Sequence, residues 1–451
     1  MTVHIERDES VRAAYARDAS GLWMLPDGVV RAQDAAALLD ALAASRASGT
    51  PITMAGAQTS TTGASIAARG VVVSTRAMDR VLDLDGSRRT VRVEPGVLLG
   101  DLDRVLAGEG LFFAPDPTSD QECTVGGSIA CNASGPRTLR YGATRRHVIG
   151  LTVALASGEV IELRRSALEK NTVGYAPAQD PIDWFIGSEG TLGIVLAAEL
   201  SLLPRPEVET GLALPFPSTA QALAFIVAAR RSETLAPRCL EYFDAESFRI
   251  ARGSESWAQD GDAMVYLEHA GPDAMPFEDW LALAERFAAR VDDARIFDGD
   301  AALKSARRLR HAVPATMHER VAPFLAQGGR RISTDWAVPY ARAAEMLARA
   351  DAIADAAGVP RAVTYGHLGN GHPHQNFVAC DAAEVARYEA VVEQTLHAVV
   401  GMGGTVAAEH GIGKVKAKWL PLQASALQLG LMRAIKRELD PAGLLAPGNI
   451  L

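Results

Sequence analysis

The alternation of apolar and polar positions changes character part-way along this 451-residue chain. Residues 34–47 set Leu38, Leu39 and Leu42 at helical spacing behind Asp34, a residue type that caps helix N-termini, and predict a helix. The runs 71–73 and 91–93 are β-branched and bounded by turn formers, which predicts short strands. Residues 151–156 and 160–163 flank Ser157-Gly158 and predict a hairpin. From 20 to 203, short strands thus alternate with few helices and many glycines. Leu203-Pro204-Arg205-Pro206 interrupts the pattern, and the proline-rich stretch to Pro217 reads as a domain boundary. Beyond it, helices are predicted around 219–231, 277–291, 341–356 and 383–399, with strands near 263–268 and 362–367. That is an α+β pattern. The last residues regain the glycine and charge texture of the first domain. The expected division is 20–205, 206–405 and a segment 406–451 that returns to the first domain.

Composition narrows the function. A chain of this length exceeds one ordinary core, and 48% hydrophobic with 22% charged residues suits a soluble globular protein. A net charge of −9 and a pI near 5.7 argue against a nucleic-acid partner. No stretch approaches the roughly 20 apolar residues of a membrane span. The polar start Met1-Thr2-Val3-His4-Ile5-Glu6-Arg7 lacks a signal-peptide core. Cys123, Cys131, Cys239 and Cys380 are scattered, without the spacing of a zinc knuckle or an iron–sulfur cluster. A cytoplasmic location is expected. No G-x-G-x-x-G links a strand to a helix, Gly413-Lys414 is not part of a P-loop, and neither H-E-x-x-H nor G-x-S-x-G occurs.

Four glycine clusters therefore need another explanation: A-G-A-Q-T-S-T-T-G at 55–63, E-P-G at 94–96, T-V-G-G-S-I-A-C-N-A-S-G at 124–135, and G-S-E-G-T-L-G at 187–193. Small residues let a backbone approach a ligand closely, and successive N–H groups make a nest for anions. One such turn is most often only a turn. Together, and with F-A-P-D-P at 113–117, they resemble the FAD-binding (PCMH-type) domain of the vanillyl-alcohol oxidase family, in its D-lactate dehydrogenase, glycolate oxidase and D-2-hydroxyglutarate dehydrogenase branch. The resemblance runs from about Asp18 to Leu451. It implies a two-domain α+β fold, a FAD-binding domain plus a cap with an antiparallel sheet. It also implies non-covalent FAD held by Gly56, Ala57, Thr59 and Ser60 at the pyrophosphate. Gly126, Gly127, Ser128, Ser134 and Gly135 lie along the ribityl chain and isoalloxazine in that reading, Glu189 and Gly190 near the adenosine half, and Pro117 and Asn449 complete the set. The first loop departs from the family's P-R-G-A-G-T-S, with Ala55 for the arginine and Gln58 for a glycine.

The second half carries G-H-L-G-N-G-H-P-H at 366–374, three histidines in a glycine-rich stretch read as a loop after strand 362–367. Neutral imidazoles there suit zinc, manganese or iron, and equally serve as simple hydrogen-bonding groups. The sequence A-E-H-G-I-G-K at 408–414 adds a carboxylate beside a base. This pairing is similar to the family's H-x-G-D-G-N-x-H with a later E-H-G. The resemblance implies one divalent metal on His367, His374 and Glu409, with His410 as the base. Asn370 and His372 depart from it, standing for Asp and Asn. The run Arg307-Arg308-Leu309-Arg310-His311-Ala312-Val313-Pro314 reads as the end of a helix with a solvated basic face. The family instead implies that Arg310 grips a substrate carboxylate. Asp335 is expected to support the site.

The implied reaction is oxidation of a small D-2-hydroxy acid to the 2-oxo acid, with hydride passing to flavin N5. The electron acceptor is not visible in the sequence, no fused iron–sulfur module is expected, and a homodimer is the assembly considered. Three rivals remain open. One is a catalytically silent flavin subunit of a larger complex; another is an alkyl-glycerone-phosphate synthase type, which typically has a histidine-rich stretch where this chain has Glu409-His410; the third is a zinc-binding structural domain without flavin.

Overall fold

The computed structural model describes residues 4–451 apart from Ser256 and Asp260, and they fall into two compact units. The first comprises Met1–Gly135, Gly142–Arg205 and Glu409–Leu451; the second comprises Pro136–Tyr141 and Pro206–Ala408.

The first unit holds two main sheets. Val71–Ser74 lies between Gly28–Arg31 and Ile52–Ala55 in a three-stranded parallel sheet. The helix Ala35–Ser48 connects two of these strands, its N-terminus capped by Asp34, which accepts the Ala37 N–H. Leu38, Ala41 and Leu42 bury its inner face with Val71, Val73 and Ile52. The second sheet is five-stranded and antiparallel, with Ile194–Ser201 between Thr90–Val93 and Val148–Ala154, and the expected hairpin partner at Val160–Arg164. Its core, Val91, Leu102, Ile129, Leu151, Val153 and Leu200, backs the helix Val125–Cys131. The chain's C-terminal segment ends in this unit: Leu445 bridges Ile52 in parallel, and Ala446 N–H donates to Ile52 O at 2.8 Å.

The second unit is one seven-stranded antiparallel sheet. Cys239–Phe243, Val363–His367, His372–Asp381 and Gly328–Ser333 are successive neighbours in it. The helix Gly299–Val321 packs on the face that carries Phe243, Tyr365 and Ala213, through Ala306 and Val313. This is the α+β architecture expected, with an antiparallel sheet in the second unit. Among the described residues no helix is long and apolar enough to cross a membrane.

Three local expectations are corrected. The proline-rich stretch to Pro217 is mostly the strand Val208–Phe216. Pro215 is tolerated there because the neighbour on one side pairs only as far as Ala213, so the missing N–H breaks no ladder bond on that side. Arg307–Pro314 does not end a helix: Pro314 sits inside the 23-residue helix Gly299–Val321, removing one backbone bond from a helix held by its buried face. Residues 277–291 form a shorter helix, Phe277–Glu285, followed by a 3-10 turn at Val291–Asp293.

Candidate active site

In the first unit, the strand Ile52–Ala55 delivers the chain into the first glycine cluster. Among the described residues, the backbone N–H groups of 57–61 meet no acceptor within the protein. Ala57, Thr59 and Ser60 all lie in this run of free donors, directly after Gly56. Gln58 adopts φ 56°, which costs a non-glycine residue roughly 1–2 kcal/mol. Its side chain offsets that strain by donating from Nε2 to Arg17 O at 2.5 Å. Ser60 Oγ accepts N–H bonds from Thr62 and Ala64, at 3.2 and 3.3 Å, and lies 3.2 Å from Thr62 Oγ1. Successive unused donors in a turn suit a pyrophosphate.

The cluster at 124–135 is built differently. Thr124 caps the helix Val125–Cys131, taking the Gly127 N–H at 3.1 Å, while Gly126 N–H goes to Pro95 O at 2.8 Å. These donors are consumed within the protein, so Gly126 and Gly127 contribute close-packed backbone rather than hydrogen bonds. Ser128 is buried beside Cys123, with Oγ to Sγ at 3.7 Å. Burial pushes the Cys123 thiol above its ordinary pKa, away from the reactive thiolate. Pro117 O receives the Asp120 N–H at 2.8 Å in the turn that precedes this cluster. Ser134, next to Gly135, donates from Oγ to Glu409 Oε1 at 3.3 Å.

Glu189 and Asn449 act as staples. The Glu189 carboxylate accepts the Ile412 and Gly413 N–H groups at 2.6 and 2.7 Å. Burial still raises its pKa against those bonds. Gly411, at φ 75°, must be glycine because a Cβ would strike the Glu189 carboxylate; one on Gly413, at φ 50°, would strike Thr62. The E-H-G-I-G-K segment is thereby held against the first loop, with Thr62 Oγ1 donating to His410 O at 3.3 Å. Asn449 Nδ2 donates to Ala64 O at 2.9 Å and to Glu189 O at 3.2 Å, the residue before Gly190. Lys414 Nζ donates to Asn449 Oδ1 and Gly63 O at 2.6 and 3.0 Å, and burial pushes its pKa down to about 8.

In the second unit the histidines are not on a loop. His367 ends the strand Val363–His367, and His372 and His374 open the strand His372–Asp381, with His367 opposite His372 across the pair. A 3-10 turn, Leu368–Asn370, joins them. The strand's alternation then puts His372 and His374 on one face. The ring centroids lie 5.5 Å (His367–His372), 5.2 Å (His367–His374) and 4.6 Å (His372–His374) apart, and all three residues are buried.

Arg310 joins them from the helix Gly299–Val321. Its Nη2 lies 2.9 Å from His367 Nε2 and 3.3 Å from His374 Nε2, and its Nε donates to Glu241 Oε2 at 3.0 Å. It is 8% exposed, so it does not belong to a solvated basic face. Glu241 was not singled out from the sequence. Its other oxygen meets His367 Nδ1 at 2.6 Å, which assigns the proton to Nδ1 and leaves the Nε2 lone pair pointing into the cluster. The signal was there: one carboxylate inside the apolar run C-L-E-Y-F at 239–243. Asp335, expected as support, places Oδ1 3.1 Å from His372 Nε2.

A family model described as FAD linked oxidases, C-terminal domain, matches residues 205–450, and one described as FAD binding domain matches residues 26–164. The chain belongs to the FAD-linked oxidase family. As an FAD-linked oxidoreductase it is 31% identical to the glycolate oxidase subunit GlcD of Bacillus subtilis, over 97% of this chain and 92% of the relative. It is 34% identical to the D-2-hydroxyglutarate dehydrogenase of Xanthomonas citri pv. viticola, over 88% and 83% of the two chains. It is 31% identical to the D-lactate dehydrogenase of Archaeoglobus fulgidus, over 89% and 86%. A solved structure of alkyldihydroxyacetonephosphate synthase superimposes with a TM-score of 0.75 at 16% identity, covering 98% of this chain and 82% of that one, which speaks for the fold alone. The bound cofactor of this FAD-linked oxidase is FAD, and the unused donors of 57–61 fit its pyrophosphate.

Proposed function

We propose that this FAD-linked oxidase oxidises a small 2-hydroxy acid to the corresponding 2-oxo acid. One observation carries the reading: a guanidinium shared between two buried imidazole nitrogens, in a family whose named relatives act on glycolate, D-lactate and D-2-hydroxyglutarate. A hydroxy acid needs a fixed cation for its carboxylate and a base for its hydroxyl proton. Arg310 supplies the first, with Glu241 holding its Nε edge so that the guanidinium is pre-oriented. His410 takes the hydroxyl proton on its imidazole. The flavin, when bound, accepts the hydride from the substrate's α-carbon. The flavin is held without a covalent link, since the 55–63 loop has no histidine and the Cys123 thiol is buried and protonated.

A divalent cation fits the same donors. His367 Nε2 and His374 Nε2 converge on one point, now taken by Arg310 Nη2, and Glu241 behind His367 is the carboxylate–histidine support that metal ligands have. Glu409 is the third proposed ligand; it follows Ala408, whose N–H is bonded to Asp335 O at 2.8 Å. When bound, the cation supplies Lewis-acid polarisation of the hydroxyl. The test is anaerobic bleaching of the flavin band near 450 nm by a panel of 2-hydroxy acids, with elemental analysis of protein purified without chelator. At least one 2-hydroxy acid bleaches the flavin stoichiometrically, and about one zinc, manganese or iron accompanies each chain. Failure of every acid to bleach overturns the oxidation; full activity with no metal found leaves the histidines as polar substrate contacts.

A further inference from the structure

The bonding of Lys414 in the first unit is incomplete. This half-buried residue ends the E-H-G-I-G-K segment, and its backbone N–H donates to Thr62 O at 2.8 Å. That bond lays it along the first glycine cluster, where a Cβ built on Gly63 would lie 3.6 Å from the Lys414 Cβ. The ammonium has three N–H donors, and two of them go to Asn449 Oδ1 and Gly63 O, at 2.6 and 3.0 Å. The third meets no acceptor among the described residues.

The ammonium also lacks a counter-charge. Among the described residues Lys414 forms no ion pair. The carboxylates of Asp18 and Glu189 face it, but both are committed elsewhere. Asp18 accepts from Ser20 and Ser65, and Glu189 accepts from Ile412 and Gly413. Burial outweighs the pull of these two charges, which is why the Lys414 pKa falls to about 8. An ammonium that loses water without gaining a partner is destabilised, and an arriving anion removes the cost.

A place for that anion lies alongside. Gly63 follows Thr61 by two residues, and 57–61 is the run of N–H groups without acceptors. Ser60 Oγ closes the turn by accepting the Thr62 and Ala64 N–H groups. From Ala55 to Ser65 the loop contains no Lys, Arg or His, so by itself it meets a doubly charged pyrophosphate with dipoles alone. We propose that Lys414 supplies the counter-charge for the FAD pyrophosphate, its third N–H donating to a phosphate oxygen, so that the chain selects a flavin dinucleotide over a flavin without phosphate. This rests on the fit of the 57–61 donors to the pyrophosphate. Lys414 takes no part in proton or hydride transfer.

The test is titration of the full chain, freed of flavin, with FAD and with riboflavin, read by quenching of flavin fluorescence. Lys414→Gln keeps an amide donor for Asn449 Oδ1 and removes the charge. The variant binds FAD about ten- to a hundredfold more weakly, as the loss of one charge-assisted hydrogen bond requires, and riboflavin within about twofold of wild type. Added KCl weakens FAD binding less steeply in the variant, because one ion pair has gone. Unchanged FAD binding overturns the proposal, and so does equal weakening of FAD and riboflavin, which makes Lys414 a structural staple. A second measurement needs only the wild type: acetylation by acetic anhydride at pH 8, where the depressed pKa leaves the amine reactive, followed by peptide mass spectrometry. FAD protects Lys414 and riboflavin does not; equal protection by both, or by neither, overturns the proposal even where the variant fails to fold. Neither measurement uses a 2-hydroxy acid, so the proposed oxidation stands or falls separately.

Discussion

The two units build their functional surfaces from different material. The first uses backbone: free N–H groups at 57–61, glycines that let Glu189 and Thr62 sit against the 411–413 segment, and staples from Asn449 and Lys414. The second uses side chains, with Glu241, Arg310, His367 and His374 bonded to one another on one sheet face. A backbone cradle tolerates changes of residue type, as Gln58 shows by holding a left-handed position with its side chain tied to Arg17. A side-chain cluster does not, because each member satisfies another's buried polar atom. Recognition of a shared cofactor suits the first kind of surface, and choice of substrate suits the second.

His410 is where the contrast is tested hardest, as the proposed base on a segment otherwise held by its backbone. His410→Asn is expected to slow flavin reduction about 10²- to 10⁴-fold while FAD content stays normal. Stopped-flow reduction across pH 5–9 checks this, since the variant also loses the fall in rate at low pH. A loss below tenfold with that limb intact means that another group is the base.

Arg310→Ala comes next. The sequence alone suggests an arginine whose loss spares the fold, but the buried ion pair says otherwise: stranding Glu241 is expected to cost about 3–5 kcal/mol of stability. The double variant Arg310→Met with Glu241→Leu removes both charges and recovers most of it. Denaturant titration of the three proteins decides. An unchanged single variant would return Arg310 to a purely substrate-directed role.

The smallest effect belongs to Lys414 in the backbone-built region. Its folded pKa of about 8 lies below the ordinary 10.5, so between these values the unfolded chain keeps a proton that the folded chain has released. Stability contributed by this group therefore rises as pH goes from 8 to 10.5. Lys414→Met should lack that rise when the two proteins are melted side by side across this range. Parallel curves would mean that Lys414 titrates normally.

Much of the first unit was legible because its signals are short-range. Asp34 sits one residue before its helix and bonds to Ala37, and the β-branched runs near 71 and 91 needed only their own composition to be strands. The second unit hid more. The glycines of 366–371 suggested a loop, whereas they make a tight 3-10 connection inside a hairpin whose register aligns the histidines. Pro314 suggested a helix end, because proline's missing N–H is a local fact while the buried face that carries the helix through it is not. Glu241 looked like an ordinary strand residue until its partner was known.

The residues by themselves determined the family and the FAD cofactor, because both are written in motifs of a dozen residues or fewer. The tertiary structure alone decided that Glu241 meets Arg310 across 69 residues and His367 across 126. Such pairings depend on which strands become neighbours and in what register, and a sheet sets both through burial of its whole face rather than through any local preference of the chain.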